Sequence, residues 1–261
     1  KSIWDDNSFL TETGTVELRE LGFENIFDFP KPVALEKQIL NLSIEDDDIV
    51  FDFFAGSGTT AQAVLELNKE DGGNRKFILV QLPEKCDEES EAYKANYKTI
   101  ADISKERIRR AIKKIEKEIK ENKNLLSETE ENKNLDLGFK VFKLSSSSFK
   151  IWRGNDITEE NLEQQLDAFT NPVREGSEKE NMLYELILKA GYLLTDKVEA
   201  KKKYYSVNEG ELIIVLEEMN QKLIDTIISA KPQKVITLDK LFTGNDQLKT
   251  NTVLQMRDAE I

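Results

Sequence analysis

A glycine-rich segment, residues 52–60, has the residue types and spacing in this chain that best suit ligand chemistry. It reads Asp-Phe-Phe-Ala-Gly-Ser-Gly-Thr-Thr, between an apolar run at residues 49–51 and a helical pattern at residues 61–68. A strand, a glycine turn and a helix in this order form a cradle for a nucleotide-like ligand at the carboxyl edge of a parallel sheet. Residues 52–60, called the glycine turn below, are therefore expected to bind such a ligand.

The spacing of the glycine turn excludes one ligand class and leaves others open. A phosphate loop needs Lys after its last glycine, whereas Thr59 follows Gly58. A dinucleotide site needs Gly-x-Gly-x-x-Gly, and its third position is here Ala61, a residue that this position accepts. The spacing alone is thus consistent with a nicotinamide or flavin site, and also with a tight turn that binds nothing.

Periodicity and turn residues predict the elements that must position this turn. Residues 49–53 are expected to form a strand of the kind buried in parallel sheets, and residues 77–80 the next strand. Helices are predicted over 14–21, ended by Gly22, from Pro32 as first residue to about 42, over 61–68, and over 97–123. The first part of the chain therefore predicts a strand–helix–strand unit.

A second, smaller mixed α/β domain is expected over residues 138–261, after a polar connector at 121–137. Its predicted elements are a strand at 139–144, a helix capped by Thr158 and running to about 169, and a helix at 180–190 ended by Gly191. They continue with hairpin strands at 204–207 and 212–216, a helix at 220–230, a strand at 235–238 and a last helix at 245–258. We find no catalytic constellation in this half of the sequence.

Composition narrows the class of protein. A length of 261 residues fits two domains. The chain has no His, which excludes His-based catalysis and His metal sites, and its single Cys86 excludes an internal disulfide and fits a reducing cytoplasm. No apolar run is long enough to cross a bilayer. The net charge of −13 argues against nucleic-acid binding by this chain alone.

One helix departs from this acidic balance. Residues 105–123 contain nine Lys or Arg and four Glu, a net charge of +5. A basic face near DNA and an ordinary solvated helix face are both consistent with this pattern, and the second is favoured.

The glycine turn resembles the Asp-Pro-Phe-x-Gly-Ser-Gly-Thr-Thr motif of amino-methyltransferases that modify DNA, with Phe53 in place of Pro. In that family the motif binds S-adenosylmethionine. Upstream, residues 29–35 (Phe-Pro-Lys-Pro-Val-Ala-Leu) resemble the family's Pro-Lys-Pro-x-x-Leu motif, which lines the same pocket, and residues 14–21 resemble its lead-in segment. Downstream, residues 75–81 resemble its second cofactor strand.

The resemblance implies a set of cofactor-binding residues. The N–H groups of the turn and of the helix N-terminus would bind the cofactor's carboxylate, and Asp52 its ammonium group, unless Asp52 only holds the turn. Ser57 and Thr59 offer hydroxyls or cap the helix. Gln81 stands where the family often has a ribose-binding Glu, a role that Glu84 could take instead. The expected set is Phe29, Lys31, Pro32, Leu35, Asp52, Phe54, Ala55, Gly56, Ser57, Gly58, Thr59, Thr60, Gln81 and Glu84.

Further segments are similar to the modification subunit of type III restriction–modification systems, namely residues 78–84, 103–110 and 242–251. The implied fold is α/β: the cofactor-binding half of a Rossmann-like methyltransferase at residues 1–120, followed by the smaller domain. The family's catalytic motif, Asp/Asn-Pro-Pro-Tyr/Phe, does not occur in the sequence. The chain is therefore expected to be the carboxy-terminal part of a cytoplasmic DNA adenine-N6 methyltransferase, without catalytic or metal-binding residues of its own.

The partners implied by the resemblance are double-stranded DNA, bound by the full subunit, a second modification subunit, and a restriction (helicase–nuclease) subunit. An alternative from another class is a non-catalytic interaction module, in which residues 138–261 dock a restriction or second modification subunit. A nicotinamide-dependent oxidoreductase is a weaker alternative, since no hydride-transfer constellation is visible.

Overall fold

A computed structural model describes residues 6–123, 135–151 and 157–261 of the chain. The chain divides into two compact units, Lys1–Phe139 and Lys140–Ile261. Most of the connector predicted at residues 121–137 lies outside the described residues. Within the described residues, no helix is both long and apolar enough to cross a membrane.

The first unit is built around one parallel strand–helix–strand motif. Its elements are α1 (Thr11–Glu20), α2 (Val33–Ser43), β1 (Ile49–Asp52), α3 (Thr59–Asp71), β2 (Lys76–Leu79), α4 (Glu91–Lys94) and α5 (Ile100–Lys123), with a 3-10 turn at Asn7–Phe9. β1 and β2 pair in parallel, with Ile49 opposite Lys76 and Asp52 opposite Leu79. These bounds confirm the predicted order of elements, but Pro32 precedes α2 as its N-cap instead of opening it.

Helix α3 is the centre of this unit. Its residues from Thr59 to Leu65 are all buried. One side packs with α2 in a cluster that includes Val33, Leu40 and Val64. The other packs with α5 through Leu65, Ile108 and Ile115, which confirms the predicted apolar face of α5. Because both sides are covered, α3 holds the end of β1 at a fixed place.

The prediction that β1 is buried like an ordinary parallel strand is wrong for one of its faces. Val50 and Phe77 point toward α3 and are partly buried. The opposite face, called the exposed sheet face below, is 44% to 70% accessible at Ile49, Phe51, Phe53, Ile78, Val80 and Leu82. Parallel sheets are normally covered on both faces, and no described residue covers this one. The apolar run therefore predicted the strand correctly but not its burial.

The second unit is a four-stranded sheet between helices. It contains α6 (Leu162–Thr170), α7 (Lys179–Lys189), β3 (Val198–Ala200), β4 (Tyr205–Val207), β5 (Leu212–Val215), α8 (Gln221–Ala230), β6 (Lys234–Thr237) and α9 (Asp246–Asp258). The strand order is β3-β4-β5-β6, antiparallel except for the parallel pair β5–β6. Every residue of β5 is buried, because α7 packs on one side and α8 on the other.

Two predictions in the second half are wrong. Residues 139–144 form no strand; Phe139 instead packs with Leu135 and Leu137 beside α5 in the first unit. Thr158 does not cap α6, whose N-cap is Asn161. The backbone N–H of Thr158 donates to the Asn161 side chain, so the capping contact runs in the opposite direction. The hairpin around residues 208–210 is confirmed, whereas β3 was not predicted.

Candidate functional site

The glycine turn lies at the carboxyl edge of the β1–β2 sheet. Hydrogen bonds continue past the strand ends, from the Val80 N–H to the Asp52 carbonyl (2.8 Å) and from the Ala55 N–H to the Val80 carbonyl (3.1 Å). Gly56 and Gly58 have φ angles of +52° and +83°, in the left-handed region that favours glycine. The turn is therefore a defined continuation of the sheet and has the predicted location.

Asp52 fixes the shape of the turn with both carboxylate oxygens. Oδ1 accepts from the Phe54 N–H at 2.9 Å, and Oδ2 accepts from the Thr60 hydroxyl at 2.6 Å. The structure thus shows the turn-holding role of Asp52 that the sequence left open. Each oxygen retains a lone pair for a further donor.

Gln81 also contacts the turn, whereas Glu84 does not bond to it. The Gln81 Oε1 accepts from the Gly56 N–H at 2.8 Å. The Glu84 side chain is exposed, and its backbone carbonyl accepts from the Ile100 N–H. Of the two candidates for the ribose, Gln81 is therefore already engaged by the protein.

The N-terminus of α3 has no side-chain cap. Gly58 is its N-cap, and no side chain bonds to the first N–H groups of the helix. The suggestion that Ser57 or Thr59 caps α3 is therefore wrong. The first N–H groups of a helix have no partner within the helix, so an anion at this place would find both donors and a favourable dipole.

The Pro-Lys-Pro segment is held directly beside the turn. The Thr59 hydroxyl donates to the Lys31 carbonyl at 3.2 Å. From the other side, α1 approaches so closely that a Cβ on Gly14 would lie 2.3 Å from the Pro30 carbonyl oxygen. Also on α1, the Glu17 carboxylate accepts from the Val33 N–H at 2.8 Å. The predicted lead-in helix thus positions the second motif.

Arg107, on α5, is the central residue that sequence reasoning missed. Its side chain is fully buried. Nη1 donates to the hydroxyls of Ser57 (2.6 Å) and Thr59 (2.7 Å), and Nε donates to the Gln62 Oε1 at 2.9 Å. One turn earlier on the same helix, the Ser104 hydroxyl donates to the Gly56 carbonyl. Two α5 side chains therefore hold the glycine turn from the interior of the unit.

The spacing of α5 contained a signal for Arg107. Ile103, Arg107 and Ala111 recur at intervals of four residues, which places them on one helix face, and all three are buried. Arg107 is basic like its exposed neighbours on α5, but it lies within this buried stripe.

Burial and neighbouring carboxylates set the electrostatics behind the turn. Burial lowers the pKa of Arg107 to about 10, against the opposing effect of Glu17, Glu66 and Glu36, so the guanidinium remains charged at neutral pH. Burial raises the pKa of Glu17 and that of Glu36 above the usual carboxyl range. For Glu36 the nearby Asp52 carboxylate adds to the rise.

Most other basic residues of α5 are on the surface. Arg110 is an exception with a structural role: it donates to the carbonyls of Leu21 and Gly22 at the end of α1 and lies 4.2 Å over the Phe23 ring. The exposed members are Arg109, Lys113, Lys114, Lys117 and Lys120. This distribution agrees with the favoured interpretation of a solvated helix face.

The remaining predicted site residues differ in exposure. Phe29 and Phe54 are 81% and 79% exposed, and Phe29 has a positive φ of 53°, a strained value for an aromatic residue. Lys31 is exposed and Leu35 is half-buried, whereas Pro32, Ala55 and Thr60 are buried. A separate open cleft of about 310 Å³ lies between α1, α2 and α3, beside Glu17, Lys37 and Glu66, and includes no residue of the glycine turn. In the described part of the chain, no group of His, Cys, Asp and Glu is arranged to hold a metal ion.

Residues 1–88 match a family model described as DNA methylase. The match includes the lead-in helix, the Pro-Lys-Pro segment, the glycine turn and β2. This part of the chain is similar to the N6/N4 DNA methylase family. The mixed α/β architecture with a parallel strand pair agrees with part of the Rossmann-like methyltransferase fold that this family implies.

The chain is also homologous to modification subunits of type III restriction–modification enzymes. It is 41% identical over 174 residues to the StyLTI Mod subunit of Salmonella typhimurium, a match covering 63% of this chain and 24% of that protein. It is 43% identical over 114 residues to the EcoPI Mod subunit of Escherichia phage P1, a match covering 44% of this chain and 18% of that protein. It is 31% identical over 253 residues to the EcoP15I Mod subunit of Escherichia coli, a match covering 92% of this chain and 36% of that protein. The chain thus spans about a third or less of the length of these relatives.

Proposed function

We propose that this chain carries the S-adenosylmethionine-binding part of a DNA adenine-N6 methyltransferase, the modification subunit of a type III restriction–modification system. The observation that carries the proposal is the hydrogen bond from Thr59 to the Lys31 carbonyl. It joins the two segments that resemble cofactor motifs, which lie far apart in the sequence. Homology to methylases over residues 1–88 supports the same function.

The groups around the turn fit the chemical parts of this cofactor. The uncapped N-terminus of α3 suits the methionine carboxylate, and the free lone pairs of Asp52 suit the ammonium group. The exposed rings of Phe29 and Phe54 suit the adenine, since aromatic faces stack on one another. When bound, the cofactor supplies the methyl group, and the residues of this chain bind and orient it.

Glu84 is the better candidate for the ribose hydroxyls. Its side chain is exposed, whereas Gln81 uses its Oε1 to hold Gly56. The variant Glu84→Ala should weaken S-adenosylhomocysteine binding more than it weakens adenine binding. Gln81→Ala should weaken both ligands, because it releases the turn itself.

Methyl transfer to DNA requires groups that this sequence does not contain. The family's Asp-Pro-Pro-Tyr type of motif is absent, and the net charge is −13. We propose that the full subunit supplies the base-binding residues and the DNA contacts. The 261-residue chain should accordingly transfer no labelled methyl group to DNA, and clear transfer would contradict this assignment.

Calorimetric titration of the chain with S-adenosylhomocysteine tests the proposed site. We expect one site per chain, lost in Asp52→Ala. The matched control is Asp71→Ala at the opposite end of α3, which should bind normally. Binding that is equal in both variants would show that the ligand lies elsewhere.

A second function is proposed for the second unit, namely docking of a restriction subunit or a second modification subunit. It is favoured by the two hydrophobic cores of this unit and by the match to a Mod subunit over 92% of the chain. Size-exclusion chromatography with purified restriction subunit, without cofactor, tests it. Co-elution would support docking, and separate elution at micromolar concentrations would count against it.

A further inference from the structure

We propose that Arg107 is a positioning residue that sets the conformation of the glycine turn for cofactor binding. The inference rests on the proposed function of the turn. Arg107 belongs to α5, outside residues 1–88 that match the methylase model. It lies in the segment 103–110 that is similar to modification subunits, but that similarity assigns it no role, which follows here from the contacts of its side chain.

The hydrogen bonds of Arg107 connect the glycine turn with the start of α3. The guanidinium donates to Ser57 and Thr59 within the turn and to Gln62 on the first turns of α3. Because the Thr59 hydroxyl accepts from Arg107, its own proton is available for the Lys31 carbonyl. Arg107 thereby orients the Thr59 hydroxyl, which joins the turn to the Pro-Lys-Pro segment.

Helix α5 also approaches the glycine turn closely. A Cβ on Gly58 would lie 3.3 Å from the Ser104 carbonyl oxygen and 3.5 Å from its Cα. The Ser104 hydroxyl bonds to the Gly56 carbonyl. Ser104 and Arg107 are three residues apart, so they act from one helix face. Helix α5 therefore bonds to the backbone of Gly56 and packs closely against Gly58.

The Arg107 guanidinium occupies a position that is unfavourable for a charge. A fully buried charge is expensive, and well-packed apolar residues often give equal or better stability at such places. Nη2 is buried and has no hydrogen-bond partner among the described residues. Packing alone therefore does not account for an arginine here, whereas its fixed fork of donors matches three acceptors around the turn.

The test compares two conservative variants of buried arginines in the 261-residue chain. Arg107→Lys retains the charge, but one ammonium cannot serve Ser57, Thr59 and Gln62 in the same geometry. Arg75→Lys is the matched control: Arg75 is also buried and bonds to Asp46 and Asp71, but at the opposite end of β2. The unfolding temperature should be lower in both variants, whereas only Arg107→Lys should weaken S-adenosylhomocysteine binding, by roughly tenfold or more.

The effects of Ser57 and Arg107 variants on ligand affinity should depend on each other, which a merely structural role of Arg107 would not produce. Ser57→Ala should weaken binding in the wild-type chain but cause little further loss in Arg107→Lys, because the same contact is already broken. Ser104→Ala, which keeps Arg107, should weaken binding in both backgrounds. Unchanged affinity in Arg107→Lys, or an equal loss in Arg75→Lys, would overturn the positioning role while leaving the proposed function intact.

Hydrogen exchange separates a failure of this inference from a failure of the proposed function. Without ligand, amides of the glycine turn should exchange roughly tenfold faster in Arg107→Lys than in Arg75→Lys. If the wild-type chain binds no S-adenosylhomocysteine, the proposed function of the chain fails, and exchange alone decides whether Arg107 holds the turn. Equal exchange in the two variants would refute the inference.

Discussion

Gly14 provides a sharp test of how α1 positions the Pro-Lys-Pro segment. In an exposed helix interior, Gly→Ala stabilises by about 1 kcal/mol. Here the added Cβ would lie 2.3 Å from the Pro30 carbonyl oxygen, and backbone cannot yield as a flexible side chain does. Overpacking of this kind costs about 1–3 kcal/mol. Separating α1 from the segment also strains the bond between Glu17 and Val33, and hydrogen bonds to charged groups contribute about 1.5–3 kcal/mol.

We therefore expect Gly14→Ala to destabilise the first unit by about 2 kcal/mol, a fall in Tm of about 6 °C for a unit of this size. Calorimetric unfolding measures the change. The control is Thr15→Ala, an exposed α1 position where the loss of a β-branched residue should be neutral or slightly stabilising. A Gly14→Ala chain as stable as the wild type would refute the close approach of α1 to Pro30.

Three further predictions address the carboxylate behind the turn, the turn itself and the exposed sheet face. The folded pKa of Glu17 is raised, so its charged form costs stability at neutral pH, and this cost vanishes as pH falls through the folded pKa toward 4.5. In urea unfolding, Glu17→Gln should be at least as stable as wild type at pH 7, with a difference that shrinks on acidification; a less stable variant at pH 7 would contradict this. Gly58→Ala should destabilise the chain more than Gly72→Ala in the same assay. Both glycines have a positive φ, a conformation that costs alanine about 1–2 kcal/mol of stability. An added Cβ meets no atom at Gly72, whereas at Gly58 it faces Ser104. Equal losses would exclude that contact. Phe51→Ser should lower binding of the dye ANS with less than about 1 kcal/mol of destabilisation, whereas Val50→Ser on the covered face should destabilise clearly; the reverse order would contradict the assigned faces.

Much of the fold was predictable because local signals agree with tertiary packing. Gly22 and Gly191 follow helices α1 and α7 with positive φ, as their sequence positions predicted. The segment at 208–210 connects an antiparallel pair, since turn residues between two apolar runs leave few other arrangements. The glycine turn was predictable for the same reason, because a strand, two glycines and a helix specify one geometry.

The wrong predictions concern residues whose conformation or burial is set by tertiary contacts. Residues 139–144 alternate like a strand, but Phe139 packs beside α5 and no neighbouring strand pairs with the segment. The apolar run at 49–53 predicted a fully buried strand, but such a run cannot show whether a second layer covers the sheet. Arg107 was counted as a surface charge, because only its place between Ile103 and Ala111, and the acceptors that it faces, mark it as buried. Contacts across more than 40 residues have no local signature.

The most direct test of the proposed cofactor site is a crystal structure of this chain with S-adenosylhomocysteine. We expect ligand density against Gly56 and Gly58, with the carboxylate at the N-terminus of α3 and the adenine near Phe29 and Phe54. Density for the chain itself filling this place, or an empty turn in crystals soaked with millimolar ligand, would contradict the assignment of the glycine turn as the cofactor site.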